Sequence, residues 1–229
     1  MARDHLEKPD TVWITMGSKT LLLDIDGVLI RDKRLMEHVR DNCVSYVRAK
    51  LPECKDPHKT NNTLYLVHGH TAKGLQTAYE VDVSDFNSKV YDTKLMDHLT
   101  EVLSETQTRR ELEQIYSLSH LHWNICLFTN APWKWATRVA VAMGENVKIK
   151  CPGDPAFSPL KPDVEAYTLP FSDLTVFIDD SLKNLGTARN LTNWVPVYYN
   201  DGERDASHKW CPQVNSVNDI CTFVKTLDT

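Results

Sequence analysis

Three short apolar runs, each closing on acids or small polar residues, constrain this chain more than any other feature. They are Lys19–Asp26 (KTLLLDID), Trp123–Asn130 (WNICLFTN) and Leu174–Asp180 (LTVFIDD). A near-continuous apolar run of strand length is expected where a strand is covered on both faces, as in a parallel sheet. Val147–Cys151 and Trp194–Tyr199 read as further strands. Trp133–Met143, Lys183–Leu191 and Asn218–Leu227 carry apolar residues at helical spacing. Strand–helix alternation from 123 to 199 therefore predicts an α/β fold, a Rossmann-like parallel sheet with helices on both faces.

That alternation is interrupted after the first strand. Arg34–Leu51, Thr63–Tyr79, Val83–Val90 and Lys94–Leu103 all have helical spacing, with Pro52 and the Pro57–Thr60 stretch expected to break the chain between the first two. The expected organisation is a core of residues 1–31 and 106–229 with an inserted helical cap domain at 32–105. Arg109–Leu118 is predicted as a helix leading back into the core, and Thr11–Met16 as a short strand before it. Asp163–Tyr167 is expected to start a helix after Pro162, and the tail from about 200 to pack on the core.

Composition narrows the function. The 229 residues carry a formal net charge of -5 and no long basic stretch, so the overall field repels a polyanion and nucleic acid is not an expected partner. A small phosphorylated metabolite remains compatible, because local charge can oppose the global sign. The six cysteines form no C-x-x-C pair and read as reduced, mostly buried thiols. The first 20 residues are charged throughout and no run has the roughly 18 apolar residues of a membrane span, so no membrane association and a cytoplasmic location are expected.

Active sites of open parallel sheets lie beyond the C-terminal strand ends. Asp24 and Asp26, two apart at such an end, leave on one face, and Gly27 can turn the chain away. Two adjacent carboxylates repel unless a cation or proton is shared, and a hard divalent ion with oxygen ligands answers that need. Taken alone, DxDG is equally consistent with solvated loop acids. Asp179 and Asp180 pose the same problem again, and alone could be acids favouring the following helix N-terminus. Thr129 and Asn130 can bind phosphoryl oxygens or form an ordinary turn. Lys161 can neutralise a phosphate or lie on the surface.

The ordered set DxDG, TN, Lys-Pro and DD resembles the four motifs of the haloacid dehalogenase (HAD) superfamily, over about residues 19–200. The resemblance implies a Mg²⁺-dependent phosphomonoester hydrolase that works through an aspartyl-phosphate. It implies Asp24 as nucleophile and metal ligand. Asp26 would be the acid and base, its carbonyl also on the metal. Thr129, Asn130 and Lys161 would lie at the phosphoryl group, with Asp179 as acidic metal ligand and Asp180 beside it. Asp26 must then be weakened as an acid, for which its acidic neighbours offer a reason. The superfamily's dehalogenases lack this second acid, which favours phosphate chemistry. A non-catalytic module of the same fold is disfavoured by the intact set.

In that superfamily, insertions after the first motif cap the substrate. The segment Gly69-His70-Thr71-Ala72-Lys73-Gly74-Leu75 resembles a cap segment of pyrimidine 5′-nucleotidases, as do LFTN, Lys161-Pro162 and Asp179–Asn184. This implies a nucleoside monophosphate substrate, with Gly69, His70 and Thr71 as cap contacts, and a sugar phosphate or phosphoglycolate as the alternative. His70 and the charged Lys73 depart from the relatives' pattern. Gly69 and Gly74 are equally consistent with close helix packing. His68 and His70 lack a third ligand at metal-binding spacing. Trp133 and Trp135 suit either base stacking or helix core.

Overall fold

The computed structural model describes residues 18–151, 159–168, 172–202 and 209–228. Six parallel strands form one sheet in the order β3-β2-β1-β4-β5-β6. They are β1 Lys19–Leu23, β2 Trp123–Phe128, β3 Lys148–Lys150, β4 Leu174–Asp179, β5 Trp194–Tyr199 and β6 Gln213–Val214. Strand order reverses beside β1, which pairs with β2 on one side and β4 on the other. Such a reversal opens a crevice at the C-terminal strand ends. The sheet is the Rossmann-like α/β fold expected from the apolar runs.

Period-two alternation sends neighbouring residues to opposite faces, and both faces are covered. Leu21, Leu23, Leu127, Val176 and Ile178 pack into the main core, together with Leu112, Ile115, Val139 and Ile220. Leu22, Cys126, Phe128 and Phe177 face the other way, onto Tyr167, Leu185 and Ala188. This two-sided burial is why Leu21–Leu23, Ile125–Phe128 and Val176–Ile178 are apolar without a break. The six cysteines are unpaired, five of them buried. Among the described residues, no helix is long and apolar enough to cross a membrane.

Helices α1 Lys33–Lys50, α2 Pro57–His68, α3 Thr71–Tyr79, α4 Val83–Val90 and α5 Thr93–Ser104 follow β1, and α6 Thr106–Ser117 leads to β2. Asp32, Asp56, Asp82 and Asp92 cap four of these N-termini through their carboxylates. Two expectations need correction. Pro57 does not prolong the break after Pro52; it begins α2, where its missing N–H costs nothing. The single helix expected over Thr63–Tyr79 is divided at Gly69, whose φ of +77 ends α2 before His70 caps α3.

The remaining helices are α7 Trp133–Met143, α8 Leu182–Ala188 and α9 Val217–Thr226. The expected helix after Pro162 is only a 3₁₀ turn, Val164–Tyr167. β6 and α9 pack the tail on the core, with Val214, Val217, Ile220 and Val224 buried. The strand expected at Thr11–Met16 lies outside the described residues.

Candidate active site

The register of the sheet brings the acidic motifs together. Leu23 lies beside Leu127 of β2 and Ile178 of β4, so Asp24 emerges between Phe128, one residue before Thr129, and Asp179. The Asp24 amide donates to the Ile178 carbonyl at 2.9 Å, continuing the ladder one residue past β1. Gly27 then turns the chain with a φ of +82. A Cβ there would stand 2.1 Å from Asp180 Oδ2, so glycine serves both the turn and the close approach of that carboxylate.

Lys161 is the pivot of the cluster, with only 1% of its surface exposed. Its ammonium donates to the Phe128 carbonyl and to Asp179 Oδ2, both at 2.7 Å, and pairs with Asp24 Oδ2 at 3.1 Å. An ammonium has three N–H donors, and all three are engaged. Burial works against its charge, but Asp179 and Asp24 outweigh it and hold the Lys161 pKa above its ordinary value. Asn130 fixes the lysine's backbone from both sides. Its Nδ2 donates to the Lys161 carbonyl at 3.0 Å and its Oδ1 accepts from the Lys161 amide at 2.9 Å. The Asn130 amide is thus directed at the lysine's backbone. Thr129 is buried and its hydroxyl accepts from the Ala131 amide at 3.1 Å.

The two acids at the end of β4 differ sharply. Asp179 is fully buried and accepts from Lys161, from the Ser181 amide at 2.7 Å, and from Asn184 Nδ2 with both oxygens. Asp180 is exposed and lines the central cavity, which Asp179 does not. Asp24, Asp179 and Asp180 each offer a carboxylate oxygen within 4.8 Å of the others, a set that could hold a metal ion. Burial, then Asp179, Asp180 and Asp26, push the Asp24 carboxyl well above its usual range, and Lys161 offsets this only in part. Asn184 Oδ1, buried beside the cluster, has no hydrogen-bond partner among the described residues. Excess negative charge, oxygen-only donors and an orphaned oxygen together fit a hard divalent cation such as Mg²⁺.

Asp26 has a different environment. Its Oδ1 accepts from Trp135 Nε1 of α7 at 3.0 Å, and Trp135 is fully buried. Burial pushes the Asp26 carboxyl up to about 6, against the opposing pull of the Trp135 bond and Lys161. The rise is the one expected from sequence, but its cause is burial and not acidic neighbours. Of the two tryptophans considered for base stacking, Trp135 is a core residue with its N–H on Asp26. Trp133 is half-buried against the main core. The Trp135–Asp26 contact was not legible in the sequence, since the two residues lie on separate elements 109 positions apart.

Helices α1 to α4 contribute the opposite wall of a cavity of about 420 Å³. Its floor includes Asp24, Asp26, Thr129, Lys161 and Asp180; its far wall includes Gly69, His70, Thr71, Asn61 and Phe86. Lys73 of α3 pairs with Asp163 at 2.5 Å, and Lys183 donates to the Leu66 carbonyl, tying this wall to the sheet side. Gly74 serves packing, because a Cβ there would meet Leu64 of α2 at 2.8 Å. His68 lies against the same glycine, whereas His70 lines the cavity.

No family model matches the chain, and no curated protein matches it in sequence. Its structure is similar to that of a HAD phosphatase from Thermococcus onnurineus, with a TM-score of 0.57 at 14% identity over 90% of this chain and 97% of that one. It is similar also to the L-2-haloacid dehalogenase of Xanthobacter autotrophicus, with a TM-score of 0.54 at 10% identity over 92% and 99%. One likeness is to a phosphatase and the other to a dehalogenase, so the backbone does not choose between the two chemistries. What the comparisons establish is the fold: this chain shares the Rossmann-like α/β architecture of HAD hydrolases and phosphatases.

Proposed function

We propose that this chain is a Mg²⁺-dependent phosphomonoester hydrolase that forms an aspartyl-phosphate on Asp24, with a nucleoside 5′-monophosphate, of pyrimidine type, as substrate. The observation that carries the reading is Asp26, a second carboxyl two residues from Asp24, lining the cleft and held by Trp135. Displacing a halide needs no proton, whereas expelling an alkoxide does. A carboxyl raised to about 6 can give that proton near neutral pH and take one back.

The chain's residues divide the work as follows. Asp24 attacks phosphorus in line with the leaving oxygen and becomes an acyl phosphate. Lys161, anchored on Phe128 and Asp179, holds charge beside the phosphoryl oxygens. Asp26 protonates the leaving oxygen, then removes a proton from the water that hydrolyses the intermediate. Asp24, Asp180 and the Asp26 carbonyl would hold Mg²⁺, with Asp179 ordering Lys161 behind them. When bound, the ion neutralises charge on the phosphoryl oxygens and relieves repulsion among the acids. Helices α1 to α4 act as the cap, and Gly69, His70 and Thr71 stand on its cavity face.

The test is turnover of p-nitrophenyl phosphate and UMP with Mg²⁺ by wild type and Asp24→Asn. Activity in wild type that falls by at least about a thousandfold in the variant supports the reading, since removing a nucleophile forfeits a whole catalytic route. Equal inertness of both proteins across pH and metals refutes it. Selective turnover of sugar phosphates would replace the nucleotidase assignment with the sugar-phosphatase one.

A further inference from the structure

The elbow between α2 and α3 sits on the loop that carries Lys161. Gly69, where α2 ends, lies so close to Pro162 that a Cβ on it would stand 3.0 Å from the proline Cδ. Further along α3, Lys73 reaches across to Asp163 and pairs with its Oδ1 at 2.5 Å. The two side chains are 19% and 37% exposed, and among the described residues each is the other's only ion-pair partner. From the core side, Lys183 of α8 donates to the carbonyls of Leu66 and Val67 in the last turn of α2. Carbonyls at a helix end lack a partner within the helix, and a cation there also meets the negative end of the dipole. Two lysines thus cross the cap–core boundary in opposite directions, one on each side of Gly69.

The loop under the elbow is tied to the core at only two of its three residues. Asn130 holds Lys161 by both backbone groups, and Thr187 Oγ1 donates to the Pro162 carbonyl at 2.8 Å. The side chain of Asp163 goes to the cap instead. Lys161 spends all three N–H donors inside the acidic cluster, so a shift of its backbone is felt at the ammonium. Its charge reaches the elbow as well. After burial, the Lys161 charge is what lowers the pKa of His70, the N-cap of α3, to about 4. The charged Lys73 departs from the cap segment of the nucleotidases that the sequence resembles, so its pair with Asp163 is not a contact that the resemblance supplies.

We propose that Lys73 is a positioning residue for Lys161: its ion pair with Asp163 seats the α2–α3 elbow on the Lys161-Pro162-Asp163 loop, so that docking the cap and fixing the ammonium of the phosphate site are one event. The role given to Lys161 rests on the phosphohydrolase reading above; the seating of the loop does not. A small displacement of a group that stabilises the transition state costs rate more than it costs binding, so the effect belongs in kcat.

The experiment measures kcat and KM of the full chain with Mg²⁺ and p-nitrophenyl phosphate, well below Tm, in wild type, Lys73→Met, Lys73→Arg, Asp163→Asn and the Lys73→Met/Asp163→Asn double variant. Amide hydrogen exchange of Lys161 and Asp163 is followed in the same proteins. Lys73→Met and Asp163→Asn should each lower kcat about three- to fivefold, the upper range for a partly exposed ion pair, with KM changed less than about twofold. The double variant should lose no more than either single one, because one interaction is removed in all three. Lys73→Arg should keep at least about half of the wild-type kcat. The gap between wild type and Lys73→Met should narrow at about 0.5 M KCl, where the pair is screened, and both amides should exchange faster in Lys73→Met. Losses that multiply in the double variant overturn the proposal, as does a Lys73→Met enzyme with wild-type kcat or a Lys73→Arg enzyme as slow as Lys73→Met. A wild type inert toward the ester overturns the phosphohydrolase reading instead, and with it the role of Lys161. The seating of the loop is then judged by exchange alone, and unchanged exchange in Lys73→Met overturns that too.

Discussion

Replacing Trp135 with phenylalanine isolates one interaction in the proposed mechanism. Phenylalanine keeps an aromatic ring to meet Tyr91, 5.3 Å away between centroids in wild type, although it is smaller than the fully buried indole and leaves space behind it. What disappears is the N–H that meets Asp26 Oδ1 at 3.0 Å. A hydrogen bond to a charged group contributes about 1.5–3 kcal/mol. If that bond serves to aim Asp26 at the leaving oxygen, its loss appears in the transition state of leaving-group departure as roughly 10- to 100-fold in kcat. The assay compares two esters: UMP, which leaves as an alkoxide and needs Asp26's proton, and p-nitrophenyl phosphate, which leaves as a stabilised phenolate. Trp135→Phe should lower kcat for UMP by the full factor with little change in KM, and for p-nitrophenyl phosphate by several-fold less. Equal losses on both esters, with an unchanged Tm, would refute the role of Trp135 as a positioning residue.

Other outcomes follow from the same geometry. Gly27→Ala must adopt a φ of +82 and place a Cβ 2.1 Å from Asp180 Oδ2, so it should cost about 1–2 kcal/mol of stability for the backbone alone. It should also weaken Mg²⁺ binding at least about tenfold by calorimetry, through the displaced carboxylate. Asp180→Asn should reduce Mg²⁺ affinity more than Asp179→Asn, whereas Asp179→Asn should lower Tm more, because it removes one of the two carboxylates paired with a buried Lys161. The Asp26 and Asp180 carboxyls are raised to about 6 and about 7, so without metal the folded state holds protons that the unfolded chain has released. Their contribution to stability is full below the unfolded pKa near 4 and is lost as pH rises through 6 to 7. The Mg²⁺-induced rise in Tm should therefore be larger at pH 7.5 than at pH 5, and a pH-independent rise would contradict the placement of the ion among these acids.

The sheet was legible because burial on both faces leaves strands nothing to do but be apolar. Leu21–Leu23, Ile125–Phe128 and Val176–Ile178 announce themselves for that reason, and polar Asp24, Thr129 and Asp179 then stand out at their ends. The division of α2 from α3 was less visible, because a glycine inside a helical pattern is readable either as interior or as a cap, and only φ decides. Asn61 gave no signal at all. It sits among Thr60, Asn62 and Thr63 on α2, and what distinguishes it is which face of that helix meets the cavity. The reach of Trp135 to Asp26 depends likewise on how α7 packs against its neighbours α5, α6 and β3.

Four carboxylates and one ammonium occupy this cluster, and sequence treats the four as near equivalents. Their surroundings do not. Lys161 has three donors, one taken by the Phe128 carbonyl, so it can serve only two acids, and the geometry gives it Asp179 and Asp24. Asp26 is left to Trp135 and to burial, which favours its protonated form. Asp180 pairs with neither Lys161 nor Trp135 and faces the cavity. On the proposed reading this is the assignment the chemistry requires. The acid that must attack pairs with the ammonium, the acid that must shuttle a proton takes its hydrogen bond from an indole N–H instead, and the acid that faces the cavity awaits the metal. Burial raises the pKa of both Asp24 and Asp26 and Lys161 lowers both, and what separates them is the direct partner, an ion pair with Lys161 for one and an indole N–H for the other. A phosphatase needs that difference, and a dehalogenase, whose leaving group departs as an anion, does not.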